Sequence, residues 1–283
     1  MEVFNSKKKI KKAISALKAK NKTIGLVPTM GALHIGHASL IKRGLAENDM
    51  VVVSIFVNPT QFDNVSDLEK YPRTLQRDVA LLNKVSKDKI IVYSPSVEDI
   101  YENNIASTSF SFDGLEFEME GKFRKGHFDG VGTIVKRFFE IVKPHNAYFG
   151  EKDFQQLQII KKLVEKQNLE VNVVGCEIYR EPNGLAMSSR NERLTAKQQN
   201  EAPFIYKTLQ EAKLKFKAMS AQKVSEWVVK EFTKNIHLEL EYFIIADTET
   251  LKPIKRKSVK KNYRAFIAAY AGEIRLIDNI ALN

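Results

Sequence analysis

Short apolar runs alternate with amphipathic stretches between Thr23 and Glu177. The apolar runs predict strands over Thr23–Val27, Met50–Val57, Lys89–Tyr93, Ala147–Phe149 and Val171–Glu177. Between the runs, apolar residues recur at helical spacing and predict helices over His37–Asn48, Thr74–Ser86, Gly130–Val142 and Phe154–Gln167. This alternation is typical of a parallel sheet with helices on both faces. Ser107–Glu120 departs from it, because phenylalanines alternate there with polar residues and predict a small antiparallel piece.

The pattern changes after Arg180, where Glu-Pro-Asn-Gly forms a turn signal. Two long helices are predicted next, over Thr195–Met219 and Ala221–Asn235. Strands are expected in the apolar runs Leu238–Ala246 and Tyr263–Tyr270 and in the terminal sequence GEIRLIDNIAL. We therefore predict a Rossmann-like α/β domain over residues 1–179 and a smaller α+β domain over residues 180–283.

The composition is that of an ordinary soluble globular protein, with 283 residues, 43% of them hydrophobic and 28% charged. No apolar run reaches the roughly 18–20 residues that span a bilayer. The basic N-terminus lacks the unbroken apolar stretch of a secretory signal. Cys176 is the single cysteine, so an intrachain disulfide and a cysteine-cluster metal site are excluded. We expect a cytoplasmic protein without a membrane partner.

The formal charge of +11 raises the question of a nucleic-acid partner. The cluster Lys7–Lys12 falls on a helical pattern whose apolar face includes Ile10 and Ile14, so its lysines are interpreted as a solvated face. The cluster Lys252–Arg264 is interpreted as a solvated loop, with a role in holding anions as the alternative. Neither cluster is interleaved with aromatic residues in the manner of single-strand binders, and we expect no nucleic-acid partner.

The segment PTMGALHIGH, residues 28–37, follows the first predicted strand of the sheet. A strand, a turn with two glycines and a helix start direct free backbone N–H groups at one point, which is a site for an anion. His34 and His37 are three residues apart and can both face that anion, donating to phosphate oxygens or protonating a leaving group. The alternative is that both histidines only cap the helix. The chain lacks a GxxxxGK[ST] loop, which argues against a P-loop NTPase.

Three further segments carry polar groups where strands are expected to end. Asn58 and Gln61 follow the second strand, although a proline-directed turn with the amide folded onto its own backbone also explains them. The segment FGEKDFQQ, residues 149–156, opens a helix; its lysine suits a phosphate, whereas its aspartate also suits a plain N-cap. In Met187–Arg190, two hydroxyls and a guanidinium suit a polyphosphate, with a solvated loop as the alternative.

The His-x-Gly-His sequence resembles the signature of the nucleotidyltransferase superfamily, which includes the class I aminoacyl-tRNA synthetases and cleaves ATP between its α and β phosphates. PTMGALHIGH, FVNPTQF, YPRT, GHFDGV, FGEKDFQQ and GLAMSSRN, in this order and spacing, resemble the pantothenate synthetase family. The resemblance covers essentially the whole N-terminal domain and the start of the second. It implies ATP-dependent joining of pantoate to β-alanine through an enzyme-bound pantoyl adenylate, with release of AMP and pyrophosphate.

The resemblance also implies roles for individual residues. His34, His37, Lys152 and Arg190 are expected to be catalytic, with His37 as the proton donor. The ATP-binding set is Met30, Gly31, Ala32, Leu33, His34, Ile35, Gly36, His37, Gly150, Glu151, Lys152, Asp153, Tyr179, Met187, Ser188, Ser189 and Arg190. Gln61 and Gln156 are expected to hold pantoate, with Gln61 also facing β-alanine. Met187–Arg190 corresponds to the mobile loop over the β and γ phosphates, which makes the C-terminal domain the lid.

One position departs from the family pattern and affects the expected Mg²⁺ site. Some members carry several acidic residues after YPRT, whereas this chain reads Leu75-Gln76-Arg77-Asp78. Asp78 remains as the expected carboxylate for Mg²⁺, which prefers phosphate oxygens plus one or two carboxylates. The family commonly forms homodimers, and the resemblance implies the same here.

Two other classes of protein remain as alternatives. Another nucleotidyltransferase of the same superfamily would make a product that retains AMP, and the segments FVNPTQF and FGEKDFQQ argue against it. An RNA-binding module related to the synthetases would explain the charge of +11, but no anticodon-binding domain is evident.

Overall fold

The structure, a computed structural model, describes residues 1–62, 65–102 and 104–283. These residues form two compact units. The first unit comprises Met1–Glu151 and Gln155–Glu177, and the second comprises Lys152–Phe154 and Ile178–Asn283. Within the described ranges, no helix is both long enough and apolar enough to cross a membrane.

A six-stranded parallel sheet forms the centre of the first unit. Its strands are β1 (Glu2–Phe4), β2 (Ile24–Thr29), β3 (Met50–Ile55), β4 (Ile90–Tyr93), β5 (Asn146–Gly150) and β6 (Asn172–Cys176). Their order is β1-β4-β3-β2-β5-β6, and every neighbouring pair is parallel. The chain winds outward from β2 through β3 to β4 and then returns to β5 beside β2. The sheet therefore has its topological switch point between β2 and β5, where open α/β sheets bind ligands.

Helices cover both faces of this sheet. They are α1 (Lys7–Lys18), α2 (Ile35–Glu47), α3 (Val65–Lys70), α4 (Leu75–Val85), α5 (Val97–Tyr101), α6 (Glu120–Phe123), α7 (His127–Val142) and α8 (Phe154–Lys166). On one face, Ile41 of α2 and Leu82 of α4 belong to a buried apolar cluster with Val92 of β4. Successive strand residues face opposite sides, and the next residue, Tyr93, packs its ring against Phe138 of α7 at a centroid distance of 6.0 Å. The predicted Rossmann-like α/β architecture is confirmed.

The segment Ser107–Glu120 differs from the prediction, because it contains no strand. The backbone N–H groups of Thr108 and Phe110 donate to side chains of α7, at 2.8 Å to Thr133 Oγ1 and 2.9 Å to Asp129 Oδ1. These side chains satisfy backbone groups that would otherwise need a partner strand. The alternating phenylalanines therefore reflect packing of an irregular segment rather than a sheet.

The second unit is an α+β domain with its own core. It contains α9 (Ala196–Glu201), α10 (Phe204–Ala218), α11 (Ala221–Thr233), β7 (Glu239–Asp247), β8 (Tyr263–Ala271) and β9 (Ile274–Ala281). The strands form an antiparallel sheet in the order β7-β8-β9. Leu209 of α10 and Val228 of α11 are fully buried in one cluster with Ile267 of β8. The sequence predicted one helix over Thr195–Met219, but the chain forms two, because Pro203 cannot donate the backbone hydrogen bond of a continuous helix.

Candidate active site

The turn that joins β2 to α2 has a special backbone. Gly31 has φ +85° and Ala32 has φ +50°, so both residues are in the left-handed region that favours glycine. Thr29 Oγ1 accepts the Gly31 N–H at 3.2 Å and donates to the Ser54 carbonyl at 2.7 Å. This turn carries the predicted nucleotide-binding residues from Met30 onward to the carboxyl end of β2, at the switch point of the sheet.

His34 and His37 lie together at the start of α2. Their ring centroids are 4.0 Å apart with the planes tilted by 34°, and His37 Nδ1 accepts the backbone N–H of His34 at 3.3 Å. A neutral imidazole that accepts at Nδ1 carries its proton on Nε2. The Nε2–H of His37 is therefore a donor beside the positive end of the 13-residue helix. This arrangement can bind a phosphate and donate a hydrogen bond to an oxygen that leaves it.

Asp78 does not fit the expected contact to Mg²⁺. Its side chain is fully buried, and its carboxylate accepts the N–H groups of Leu33 at 2.8 Å and Ala32 at 3.2 Å and the Thr74 hydroxyl at 3.2 Å. Mg²⁺ keeps several waters when it binds to proteins, and a carboxylate without solvent exposure cannot reach such an ion. Among the described residues, no group of three or more His, Cys, Asp and Glu side chains could hold a metal.

Gln61, predicted to hold pantoate, lies in a 3₁₀ turn directly after β3. Its Nε2 lies against Met30 Sδ, so it contacts the turn after β2. Its Oε1 accepts from Asn58 Nδ2 at 3.2 Å, while Asn58 Oδ1 accepts from the Tyr101 hydroxyl at 2.5 Å. Asn58 is only 1% exposed. The structure thus brings Gln61 to the predicted nucleotide turn and fixes its amide with a buried residue.

Arg124 and His127 also converge on Gln61, although no role was predicted for either. Arg124 Nη2 donates to the Gln61 carbonyl at 3.3 Å, and His127 Nδ1 lies 2.9 Å from the same oxygen. His127 opens α7 within the sequence GHFDGV, which was noted only for its resemblance. Because the contacts span more than 60 residues of sequence, the spacing of motifs gives no signal for them.

The neighbouring glutamines at the start of α8 have different environments. Gln155 is 5% exposed, donates to the carbonyls of Leu115 at 2.8 Å and Glu118 at 2.7 Å, and accepts the Glu120 N–H at 3.1 Å. It therefore holds the irregular segment before α6. Gln156, the predicted pantoate ligand, is only half-buried.

Gly150 and Glu151 occupy the other side of the switch point. Gly150 ends β5 and pairs with Cys176 of β6, and a 3₁₀ turn begins at Glu151. Since β5 is parallel to β2 and adjacent to it, Gly150 and the turn after β2 leave the sheet at the same edge. The structure therefore places these predicted nucleotide contacts on both strands that flank the switch point.

In the second unit, Lys152 is held by the last strand. Asn279 Nδ2 donates to the Lys152 carbonyl at 2.9 Å. The neighbouring Asp278 is 4% exposed and pairs with the Arg180 guanidinium through two bonds, of 2.7 and 2.9 Å. The network fixes the main chain at Lys152, and Lys152 lines a small cleft together with Ser188 and Arg190.

The predicted loop Met187–Arg190 has its own local order. The Met187 N–H donates to the Tyr179 carbonyl at 2.9 Å, and Ser188 Oγ accepts the Arg190 N–H at 3.2 Å. Ser189 begins a 3₁₀ turn, and the Arg190 side chain is exposed. Three expected phosphate ligands, Lys152, Ser188 and Arg190, therefore share one cleft of the second unit, while Tyr179 supports the loop through its backbone.

A parallel sheet with a helix terminus and two histidines at its switch point defines a nucleotide-binding α/β fold. The family described as Pantoate-beta-alanine ligase matches residues 2–281 of the chain. Pantothenate synthetase from Christiangramia forsetii is 58% identical over 283 residues, and that from Flavobacterium psychrophilum is 58% identical over 282 residues. Both alignments cover 100% of each sequence.

Solved structures agree with this assignment. Pantothenate synthetase from Thermus thermophilus aligns with a TM-score of 0.90 at 35% identity, over 100% of this chain and 99% of that one. Pantoate-beta-alanine ligase from Francisella tularensis, solved with Beta-gamma ATP and Beta-alanine, aligns with a TM-score of 0.80 at 35% identity, over 100% and 98%. The chain belongs to the pantoate–β-alanine ligase family. It is an enzyme of pantothenate biosynthesis that ligates pantoate and β-alanine.

Proposed function

We propose that the chain makes this bond with ATP through an enzyme-bound pantoyl adenylate. The observation that carries the proposal is the pair His34 and His37 at the start of α2, with the Nε2–H of His37 as a donor at the switch point. At this position, a substrate carboxylate can attack a phosphate of bound ATP and so become an activated acyl adenylate. The ligand pair reported for the Francisella tularensis relative, Beta-gamma ATP and Beta-alanine, supports the same substrates.

In the first step, a pantoate carboxylate oxygen attacks the α phosphorus of ATP in line. A new P–O bond forms, the bond to the bridging oxygen of pyrophosphate breaks, and pyrophosphate leaves. Positioning and electrostatic stabilisation supply most of the catalysis in such transfers. We assign the phosphates to His34, His37 and the first-turn N–H groups of α2, with His37 donating to the leaving oxygen, and we assign pantoate to Gln61 and Gln156.

Residues of the second unit provide positive charge for the polyphosphate. Lys152 and Arg190 line one cleft with Ser188, and a guanidinium, an ammonium and a hydroxyl together suit β and γ phosphate oxygens. We assign the loop Met187–Arg190 to cover these phosphates, because an acyl-adenylate must be protected from water. The backbone of Tyr179, already bonded to Met187, is assigned to the adenine side.

Mg²⁺ is assigned to the nucleotide rather than to a cage of protein carboxylates. When bound, it neutralises polyphosphate charge, and it takes phosphate oxygens and water readily. The buried carboxylate of Asp78 does not fit as its ligand, and no step of the mechanism is routed through the ion. In the second step, the neutral amine of β-alanine attacks the acyl carbon, the bond from that carbon to the AMP oxygen breaks and AMP leaves, and the amine loses one proton to solvent as pantothenate forms.

Analysis of nucleotide products tests the proposal. Purified protein with ATP, Mg²⁺, pantoate and β-alanine is expected to form AMP, pyrophosphate and pantothenate in equal amounts. With pantoate but no β-alanine, exchange of labelled pyrophosphate into ATP is expected to continue, because the adenylate forms reversibly. Release of ADP, or a product that retains AMP when both substrates are present, would contradict the adenylate route.

A further inference from the structure

The turn after β2 rests on a carboxylate that comes from a different part of the chain. Asp78 lies in the first turn of α4 and is fully buried. A Cβ atom added at Gly31 would lie 3.1 Å from Asp78 Oδ2, so the carboxylate is packed directly against the turn. Its bonds to the N–H groups of Ala32 and Leu33 tie the two residues before His34 to α4.

The backbone at this turn needs such support. Ala32 has φ +50°, a conformation that a residue with a Cβ rarely adopts, and Gly31 before it has φ +85°. Bonds from backbone N–H groups to an ionised carboxylate are stronger than neutral ones. The carboxylate therefore holds Ala32 and Leu33 in place, and the next residue, His34, begins α2 with extended backbone.

We propose that Asp78 is a positioning residue that sets the conformation of the turn, and through it the placement of His34 and His37, instead of a ligand for Mg²⁺. The proposal rests on the proposed role of the two histidines at the ATP phosphates. The carboxylate oxygens already accept two backbone N–H groups and the Thr74 hydroxyl. Replacing one oxygen with an NH₂ group would set a donor against an N–H donor.

The test compares Asp78→Asn with two further variants. In Asp78→Asn, kcat is expected to fall at least about tenfold, because small misplacements of catalytic groups cost up to about 10²-fold. The Mg²⁺ concentration for half-maximal rate is expected to stay at the wild-type value. Ala32→Gly relieves the strain of the left-handed backbone at residue 32. The double variant Asp78→Asn/Ala32→Gly is therefore expected to have a kcat several-fold higher than that of Asp78→Asn. Asp88→Asn, which removes an exposed carboxylate just after α4, serves as the charge-matched control.

Hydrogen exchange separates failure of this proposal from failure of the proposed function. Backbone exchange in residues 30–38 is expected to accelerate in Asp78→Asn and not in Asp88→Asn, whether or not the protein is active. A higher Mg²⁺ requirement with unchanged exchange would identify Asp78 as a metal ligand and overturn the proposal. If Asp78→Asn does not fold, Asp78→Glu keeps the carboxylate but lengthens the side chain by one methylene, which displaces its oxygens from the Ala32 and Leu33 N–H groups. Faster exchange of residues 30–38 in Asp78→Glu, at an unchanged Mg²⁺ requirement, would support the proposal, and unchanged exchange would overturn it.

Discussion

The imidazole of His37 is the side chain on which the proposed first step depends most. Its Nδ1 accepts a backbone N–H, so the protonated Nε2 points away from that bond. His37→Ala is expected to lower adenylate formation at least about 10²-fold, the usual effect of removing one preorganised hydrogen-bond donor from developing charge. Exchange of labelled pyrophosphate into ATP in the presence of pantoate measures this step. His237→Ala, at a histidine outside the candidate site, should leave the rate unchanged; exchange at the wild-type rate in His37→Ala would refute the assignment.

Gln61 and Gln156 are expected to act on pantoate rather than on ATP. Removing an amide that bonds to a buried substrate hydroxyl or carboxylate costs about 1–3 kcal/mol, or roughly 5–150-fold in substrate use. Gln61→Ala and Gln156→Ala should each raise the KM for pantoate by an amount in that range. The affinity of the free enzyme for ATP should stay within about twofold of the wild-type value, because neither glutamine is assigned to the nucleotide. Calorimetric titration with ATP checks the second part, and Gln76→Ala on the exposed side of α4 is the control.

The sequence predicted His34, His37 and Gln61 because each lies in a short motif just after a strand. It could not predict Asn58 as the support of Gln61, because that role depends on a bond from Tyr101, 43 positions away. It likewise offered no means to distinguish Gln155 from Gln156. Adjacent residues on a helix differ by about 100° in direction, and only the surrounding structure decides which amide is buried. The sequence therefore predicted that these polar residues lie where strands end, but not the residues that hold them in place.

Strands and helices with a strong apolar pattern were predicted, and those without one were not. The three-residue strand β1 is too short to show alternation, so the apolar pattern did not predict it. The long helix predicted after Thr195 contained Pro203, which ends α9 and lies before α10. A proline inside a periodic apolar pattern is a stronger signal for the end of a helix than the periodicity is for its continuation. In Ser107–Glu120, side-chain bonds from α7 replaced the partner strand that the alternation favoured.

The turn after β7 provides a test of pH-dependent stability. Burial would raise the pKa of the Asp247 carboxyl, but bonds from the Thr250 and Glu249 N–H groups and from Lys261 outweigh it and lower the pKa below 3.8. A carboxyl whose pKa is lowered by folding stabilises the protein above its unfolded pKa and loses that effect as pH falls through the folded value. Asp247→Asn should therefore lower the free energy of unfolding at pH 7, by about 1–3 kcal/mol for charged hydrogen bonds.

Urea unfolding of Asp247→Asn and wild type over a pH series checks this expectation. The difference in free energy should be constant from pH 7 to about pH 5 and shrink below 3.8. Glu249→Gln, at an exposed carboxylate two residues away, should show little difference at any pH. A difference between Asp247→Asn and wild type that persists unchanged into acid would show that the side chain stabilises the turn by shape rather than by charge.

Positive charge is spread unevenly over the molecule, and not all of it faces solvent. In the cluster Lys252–Arg264, Lys257 Nζ lies 4.0 Å from the centroid of the Phe216 ring, Lys261 pairs with Asp247 at 2.9 Å, and Arg264 is only 8% exposed. The interpretation of this cluster as a solvated loop therefore holds for only some of its basic residues. Lys255 and Arg256, in contrast, are exposed to solvent. They are therefore suitable positions for a variant that removes surface charge.

If the charge of +11 serves solubility and small anionic substrates, RNA should bind weakly, without sequence preference, and less as salt rises. Neutralised phosphates release counterions, so the affinity of nonspecific binding falls steeply with salt. Pantothenate formation should persist near physiological salt, because enclosed phosphate contacts are screened less than exposed charges. A labelled RNA and the ligase reaction are measured in parallel across one salt series. Lys255→Gln/Arg256→Gln is compared with Lys8→Gln/Lys12→Gln, which removes the same charge from exposed positions of α1. Tight RNA binding at physiological salt that only the first pair abolishes would show that the cluster Lys252–Arg264 is a nucleic-acid site.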